Sequence, residues 1–241
     1  MPSDSTTDSA LDSSLESTLK STTPPAATLL PIVVLISGAG SNLQAIIDAK
    51  INDDLPVTIQ AVICNRRDAP GLLRAQQAGI STELVEQAQY ATREDFDAAL
   101  QQCIEKYQPA LIVLAGFMRI LTDAFVNHYR GKTINIHPSL LPAFRGLNTH
   151  QRAIDAKVTE HGTTVHFVTQ ELDGGPAIIQ ASVPVYPNDN TAKLAQRVLE
   201  KEHLIFPLAI RLIAEGRLVY TNNNVYLDNQ PLQEPLQYPD P

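Results

Sequence analysis

The chain reads as an α/β protein, a mainly parallel twisted sheet with helices on both faces. Continuous apolar runs such as "PIVVLIS", "VTIQAVIC" and "ALIVLAG" have the composition of strands buried on both faces. Between them stand segments whose apolar residues recur at helical spacing. Strands joined through helices run parallel and carry those helices on their faces, and chain chirality gives such a sheet its twist.

The first strand, from Pro31 to Ser37, closes on "GAGSN", after which Leu43, Ile46 and Ile47 mark the buried side of a helix. "VTIQAVIC" is the second strand. "PGLLRAQQAG" is the next helix, with Pro70 at its start and Gly79 at its end. "STELVE" comes next as a short third strand, and Thr92 and Asp95 then stand at capping-box spacing at the head of a helix. "ALIVLAG" is the fourth strand; a short helix from Thr122 leads to the fifth, Thr133 to His137. "GTTVHFVT" and "AIIQASVPVY" alternate as half-buried strands do and leave room for antiparallel pairing. A helix over residues 191–215 carries Leu194, Val198, Ile205, Leu208 and Leu212 as its buried stripe, and Pro207 is expected to kink or split it.

Composition divides the chain into three regions. Residues 1–30 contain thirteen Ser or Thr and only scattered apolar residues, so a disordered tail is expected there. Residues 31–216 form the folded domain, and 217–241 read as a small hairpin and then a loose proline-rich tail. A net charge of -8 argues against a general nucleic-acid or anionic-membrane surface, so any phosphate must be held locally. No apolar run approaches the roughly 20 residues of a membrane span, and the acidic N-terminal stretch does not read as a secretory or transit peptide, which points to the cytoplasm. Cys64 and Cys103 lie far apart without metal-ligand spacing and are expected to be buried thiols.

Open α/β sheets bind ligands beyond the carboxyl ends of their strands. Three segments fall there: "SGAGSN", "GFMRIL" and "NIHPS". A glycine turn entering a helix presents backbone amides to an anion, although the same turn also serves a plain tight connection. It lacks the third glycine of G-x-G-x-x-G, since Gln44 and Ala45 stand there instead. Strand alternation points Asn135 and His137 the same way, as two hydrogen-bond donors for an oxygen that gains negative charge, provided the imidazole is protonated. Asp173, in "ELDGGPA", offers the carboxylate that such an imidazole needs, or else simply serves its turn. No nucleophile motif and no metal-ligand spacing appears, which leaves acyl transfer between two bound substrates.

"VVLISGAGSNLQAIIDA", "LAGFMRIL", "NIHPSLLPAFRGLNTHQRAI", "HGTTVHFVTQELDGGPAIIQ" and "EHLIFPLAI", in that order, resemble the glycinamide ribonucleotide formyltransferases, folate-dependent enzymes of purine synthesis. The resemblance, from about Ile32 to Gly216, implies the formyltransferase fold, with a Rossmann-like ribonucleotide-binding half and a folate-binding half. It implies that the amine of 5-phosphoribosylglycinamide attacks the formyl carbon of 10-formyltetrahydrofolate, a co-substrate, through a tetrahedral intermediate and without a metal. The catalytic positions carried across are Asn135, His137 and Asp173, with Asp173 keeping the imidazole charged. Gly40, Ser41, Asn42, Leu43 and Gln44 match the ribonucleotide loop, and Glu202 matches a glutamate that contacts the ribonucleotide. Arg93, Met118, Arg119, Ile120 and Leu121 match the folate side, as do Asn135 and the loop of Gln170, Glu171, Leu172, Gly174 and Gly175. Ala39 departs from the larger polar residue often found in the family.

The partners so implied are two small molecules, with no nucleic acid and no membrane, acting on a monomer or weak homodimer. Methionyl-tRNA formyltransferase shares the chemistry but would carry a further tRNA-binding domain, whereas only residues 217–241 lie beyond the domain here. A formyltetrahydrofolate deformylase would carry a folded regulatory domain in place of the polar first thirty residues. A non-catalytic nucleotide-binding module would explain the glycine turn but give Asn135, His137 and Asp173 no shared purpose.

Overall fold

A computed structural model of the protein describes residues 29–52 and 54–239. The parallel half of the sheet is built from β1 (Leu30–Ile36), β2 (Val57–Cys64), β3 (Thr82–Leu84), β4 (Leu111–Leu114) and β5 (Thr133–His137). These stand side by side in the order β3-β2-β1-β4-β5, all parallel. The order doubles back at β1, so the carboxyl ends of β1 and β4 flank a crevice. Beyond β5 the direction reverses. β6 (Glu160–Phe167) runs antiparallel to β5, and β7 (Ala177–Pro184) antiparallel to β6.

The continuous apolar runs have a direct cause in the two buried faces. Ile32, Val34 and Ile36 of β1 turn toward one side, where they meet helix α1 (Ser41–Ile51) through Leu43, Ile46 and Ile47. On that side they also meet the long helix α6 (Thr191–Ala214), through Ile205, Phe206, Ala209 and Ile210. Val33 and Leu35 turn the other way, onto Phe96, Leu100 and Ile104 of α3 (Arg93–Glu105) and Phe125 of α4 (Asp123–His128). Each such side chain, fully buried, contributes roughly 1.5–3 kcal/mol, so β1 alone anchors both helical layers. Helix α2 (Gly71–Gln77) packs beside α1, with Ala75 fully buried. The cap expected at α3 forms, as Thr92 Oγ1 accepts from Asp95 N at 3.1 Å.

Some expectations are corrected. Helix α6 is not split at Pro207 but runs unbroken over 24 residues, and Leu208 is only partly buried. Between β5 and β6 lies a short helix, α5 (Thr149–Asp155), that periodicity did not suggest; it spans seven residues and its N-cap, Asn148, makes no side-chain cap bond. The C-terminal hairpin is present as β8 (Leu218–Thr221) and β9 (Asn224–Leu227), extended by β10 (Gln230–Pro231). The proline-rich segment after β10 is not loose: β11 (Leu236–Gln237) pairs in parallel with β7, and Leu232, Leu236 and Tyr238 pack against the core. Among the described residues the main sheet therefore has eight strands, ordered β11-β7-β6-β5-β4-β1-β2-β3. The tail expected over residues 1–30 lies outside the described residues up to position 28, while Leu30 already belongs to β1. Both cysteines are buried, as expected. Among the described residues, no helix is long and apolar enough to cross a membrane.

Candidate active site

Strand β5 ends where its alternation suggested, with Asn135 and His137 on one face of the sheet. The antiparallel register then sets Asn135 opposite His166, and His137 opposite Thr164. Asn135 Nδ2 lies 3.2 Å from His166 Nε2. Nδ1 of His166 is 2.9 Å from the Phe167 carbonyl, an acceptor only, so that nitrogen carries the proton and Nε2 accepts from the amide. Burial pushes the His166 ring down to about 4, which agrees with a neutral imidazole in that tautomer. The amide of Asn135 is thus fixed by one N–H while a second remains for a ligand.

Asp173 reaches this face from the loop between β6 and β7. Its Oδ2 stands 3.4 Å from His137 Nδ1, and its Oδ1 3.8 Å from His166 Nε2. It also accepts from Gly146 N at 2.9 Å, so it does more than serve its own turn. Its backbone is left-handed (φ 48°), a conformation that Asp tolerates better than most residues. Gly175, two positions on, is obligatory, since a Cβ there would meet the Phe167 carbonyl oxygen. The other nitrogen of His137, Nε2, donates to Phe144 O at 3.1 Å, so a ligand oxygen must take that hydrogen bond over. Asn135, His137 and Asp173 therefore converge, and His166 joins them. Reading β5 alone missed His166. The same alternation in "TTVHFV" carries it, once β6 is laid antiparallel to β5 in register.

The glycine turn sits at the end of β1. Gly40 is the N-cap of α1 with φ 71°, and the helix has no side-chain cap, so its first amides are open to an anion. Asn42 is buried and donates through Nδ2 to Glu202 Oε2 at 2.7 Å, which ties the turn to α6. Burial pushes the Glu202 carboxyl upward, only partly offset by that hydrogen bond. Two of the turn's expected contributors have limited freedom. Leu43 is fully buried in the core, leaving only its amide, and the Gln44 amide is already committed to Gly40 O at 2.9 Å.

A cleft of about 360 Å³ brings Gly40, Ser41 and Asn42 together with Gly116 and Met118 from the end of β4. The two segments are fastened by Met118 N donating to Ser37 Oγ at 2.8 Å. Arg93 does not project freely, because its Nη2 donates to the carbonyls of Ile120 and Leu121 at 3.0 and 3.3 Å. Arg119 lies over the Phe96 ring, 4.0 Å from its centroid. Met118, Ile120 and Leu172 expose large apolar surfaces, at 71%, 57% and 50%. Exposed apolar side chains of this kind suit contact with a partly apolar ligand. Gln170 is exposed in the β6–β7 loop, Glu171 is ion-paired with Arg145, and a Cβ on Gly174 would strike Glu171. Among the described residues, no group of three or more His, Cys, Asp or Glu is placed to hold a metal ion.

The formyl transferase family model matches residues 30–210. Over 201 residues the chain is 53% identical to phosphoribosylglycinamide formyltransferase of Escherichia coli, a match that covers 83% of this chain and 95% of that protein. The corresponding Haemophilus influenzae enzyme is 48% identical over the same shares. The structure of phosphoribosylglycinamide formyltransferase from Coxiella burnetii superposes with a TM-score of 0.83 at 54% identity, covering 88% of this chain and all of that one.

Proposed function

The chain belongs to the formyl transferase family, and from that premise we propose how its residues move a formyl group from 10-formyltetrahydrofolate to the amine of 5-phosphoribosylglycinamide. That transfer, a step of purine biosynthesis, is the reaction of the enzyme. It yields the N-formyl ribonucleotide and tetrahydrofolate.

The observation that carries the assignment of roles is the convergence of Asn135, His137 and Asp173 at the end of β5. The open amides of Gly40 to Asn42 hold the ribonucleotide phosphate, with Glu202 beneath them near the ribose. The folate lies over Met118 to Leu121 and under the 170–175 loop, so its formyl carbon faces the end of β5. The amine nitrogen attacks that carbon, and the carbonyl oxygen becomes an oxyanion. The free N–H of Asn135 and the Nε2–H of His137, released from Phe144 O, donate to it. Asp173 holds the imidazole by its other nitrogen and complements its positive charge. When the intermediate collapses, the bond from carbon to the folate nitrogen breaks, that nitrogen gains a proton, and the amine loses one, with His137 and water as carriers.

The protein acts in the cytoplasm as a monomer or weak homodimer on these two small molecules. A formyl-transfer assay with the purified protein tests the reading. Absence of N-formyl ribonucleotide from the two substrates would overturn it, and folate turnover without the acceptor would mean a deformylase instead.

A further inference from the structure

The register of the sheet places His137 in a row that continues away from the substrate cleft. His137 pairs with Thr164, Thr164 with Gln180, and Gln180 with Gln237 of the C-terminal strand. Directly opposed residues in a sheet share a face, so this is one line of polar side chains across four strands. Thr164 is fully buried and Gln180 is 8% exposed.

The hydrogen bonds along the row converge on the irregular segment just after His137. Thr164 Oγ1 donates to Ser139 O at 2.7 Å and accepts from Leu141 N at 3.0 Å. Gln180 Nε2 donates to Leu141 O at 2.8 Å and to Thr164 Oγ1 at 3.1 Å, which uses both of its N–H groups. Both polar groups of Leu141 are therefore held by side chains of the row. A few residues on, this same segment supplies Phe144 O to His137 Nε2 and Gly146 N to Asp173 Oδ2. The C-terminal strand completes the row: Tyr238 N donates to Gln180 O at 2.8 Å, and Gln237 Nε2 stands 3.5 Å from Gln180 Oε1.

We propose that Gln180 is a positioning residue for the reaction, pinning Leu141 so that the 139–146 segment presents His137 and Asp173 to each other, with the C-terminal strand holding Gln180 in place. Gln180 does not touch substrate. The proposal rests on the assignment of His137 and Asp173 above, but its test does not stand or fall with that assignment alone.

Gln180→Met keeps the volume of the side chain and removes its donors. Turnover per folded enzyme, measured well below the unfolding midpoint, is expected to fall about tenfold, with KM for both substrates changed by less than about twofold. A packing role alone would lower the midpoint and leave kcat unchanged. A second variant that retains Gln180 and ends after Leu232 removes its cover, and is expected to lower kcat about threefold. Adding the truncation to Gln180→Met should cost little more, because both act on one row. Wild-type kcat in Gln180→Met, or fully additive losses in the combined variant, would overturn the proposal. Failure of His137→Ala to lose activity would instead sink the catalytic assignment and is measured separately.

Discussion

On the proposed mechanism, removing the Asn135 amide or the His137 imidazole takes away a donor aimed at the charge that develops on the formyl oxygen, while removing Asp173 frees the ring to turn. A lost donor of this kind costs about 2.7–4 kcal/mol in the transition state, so each alanine variant should lose about a hundredfold in kcat or more. Circular dichroism should show the fold retained. Wild-type-like turnover in His137→Ala would defeat the mechanism. Two further histidines bear on stability as well. His161 and His166 are buried and each is pushed down to about 4, chiefly by burial, from an ordinary value of 6.5. Between those pH values the unfolded chain binds protons that the folded chain does not, so stability is lost as pH falls through that window and is level above it. The loss is at most about 1.4 kcal/mol per pH unit for each ring. Melting curves from pH 7 to pH 4.5 should fall accordingly, and His161→Gln should fall less steeply. Equal slopes for the two proteins would show that His161 does not titrate on unfolding.

Among the elements, the glycine turn shows most plainly how one position serves two ends. A valine at Gly40 would crowd the proposed anion site, but its Cβ would also stand 2.7 Å from Gly71 Cα, and φ is 71°. Gly40→Val should therefore lower the melting temperature as well as ribonucleotide affinity. Ser41→Ala is the cleaner probe, expected to weaken ribonucleotide binding severalfold in calorimetric titration while folate binding stays within error. Equal weakening for both ligands would mean that the turn had been assigned the wrong role. The parallel half of the sheet was legible because burial on both faces writes itself as uninterrupted apolar runs, and the strand ending in His137 because Pro138 stops it. His166 was not, since its meaning depends on which strand lies beside β6. Helix α5 was too short and too weakly capped to leave a pattern, and β11 owes its existence to an open strand beside it rather than to its own composition.

For the molecule as a whole, residues 1–28 add little apolar surface, and their deletion should leave melting temperature and activity nearly unchanged. A large loss of either would show that this segment packs on the domain. The opposite end of the chain behaves otherwise. The outermost strands of the sheet, β3 and β11, are only three and two residues long, and Pro235 and Pro239 bracket the second. Short, proline-flanked borders offer another molecule almost no backbone to pair with. Loss of the last residues would leave β7, eight residues long and largely apolar, as an unguarded border. The C-terminal strand thus also protects the protein from its own copies. Enzyme ending after Leu232 should scatter light and precipitate at concentrations where the full chain stays clear, and dilution should slow that association without restoring the missing strand.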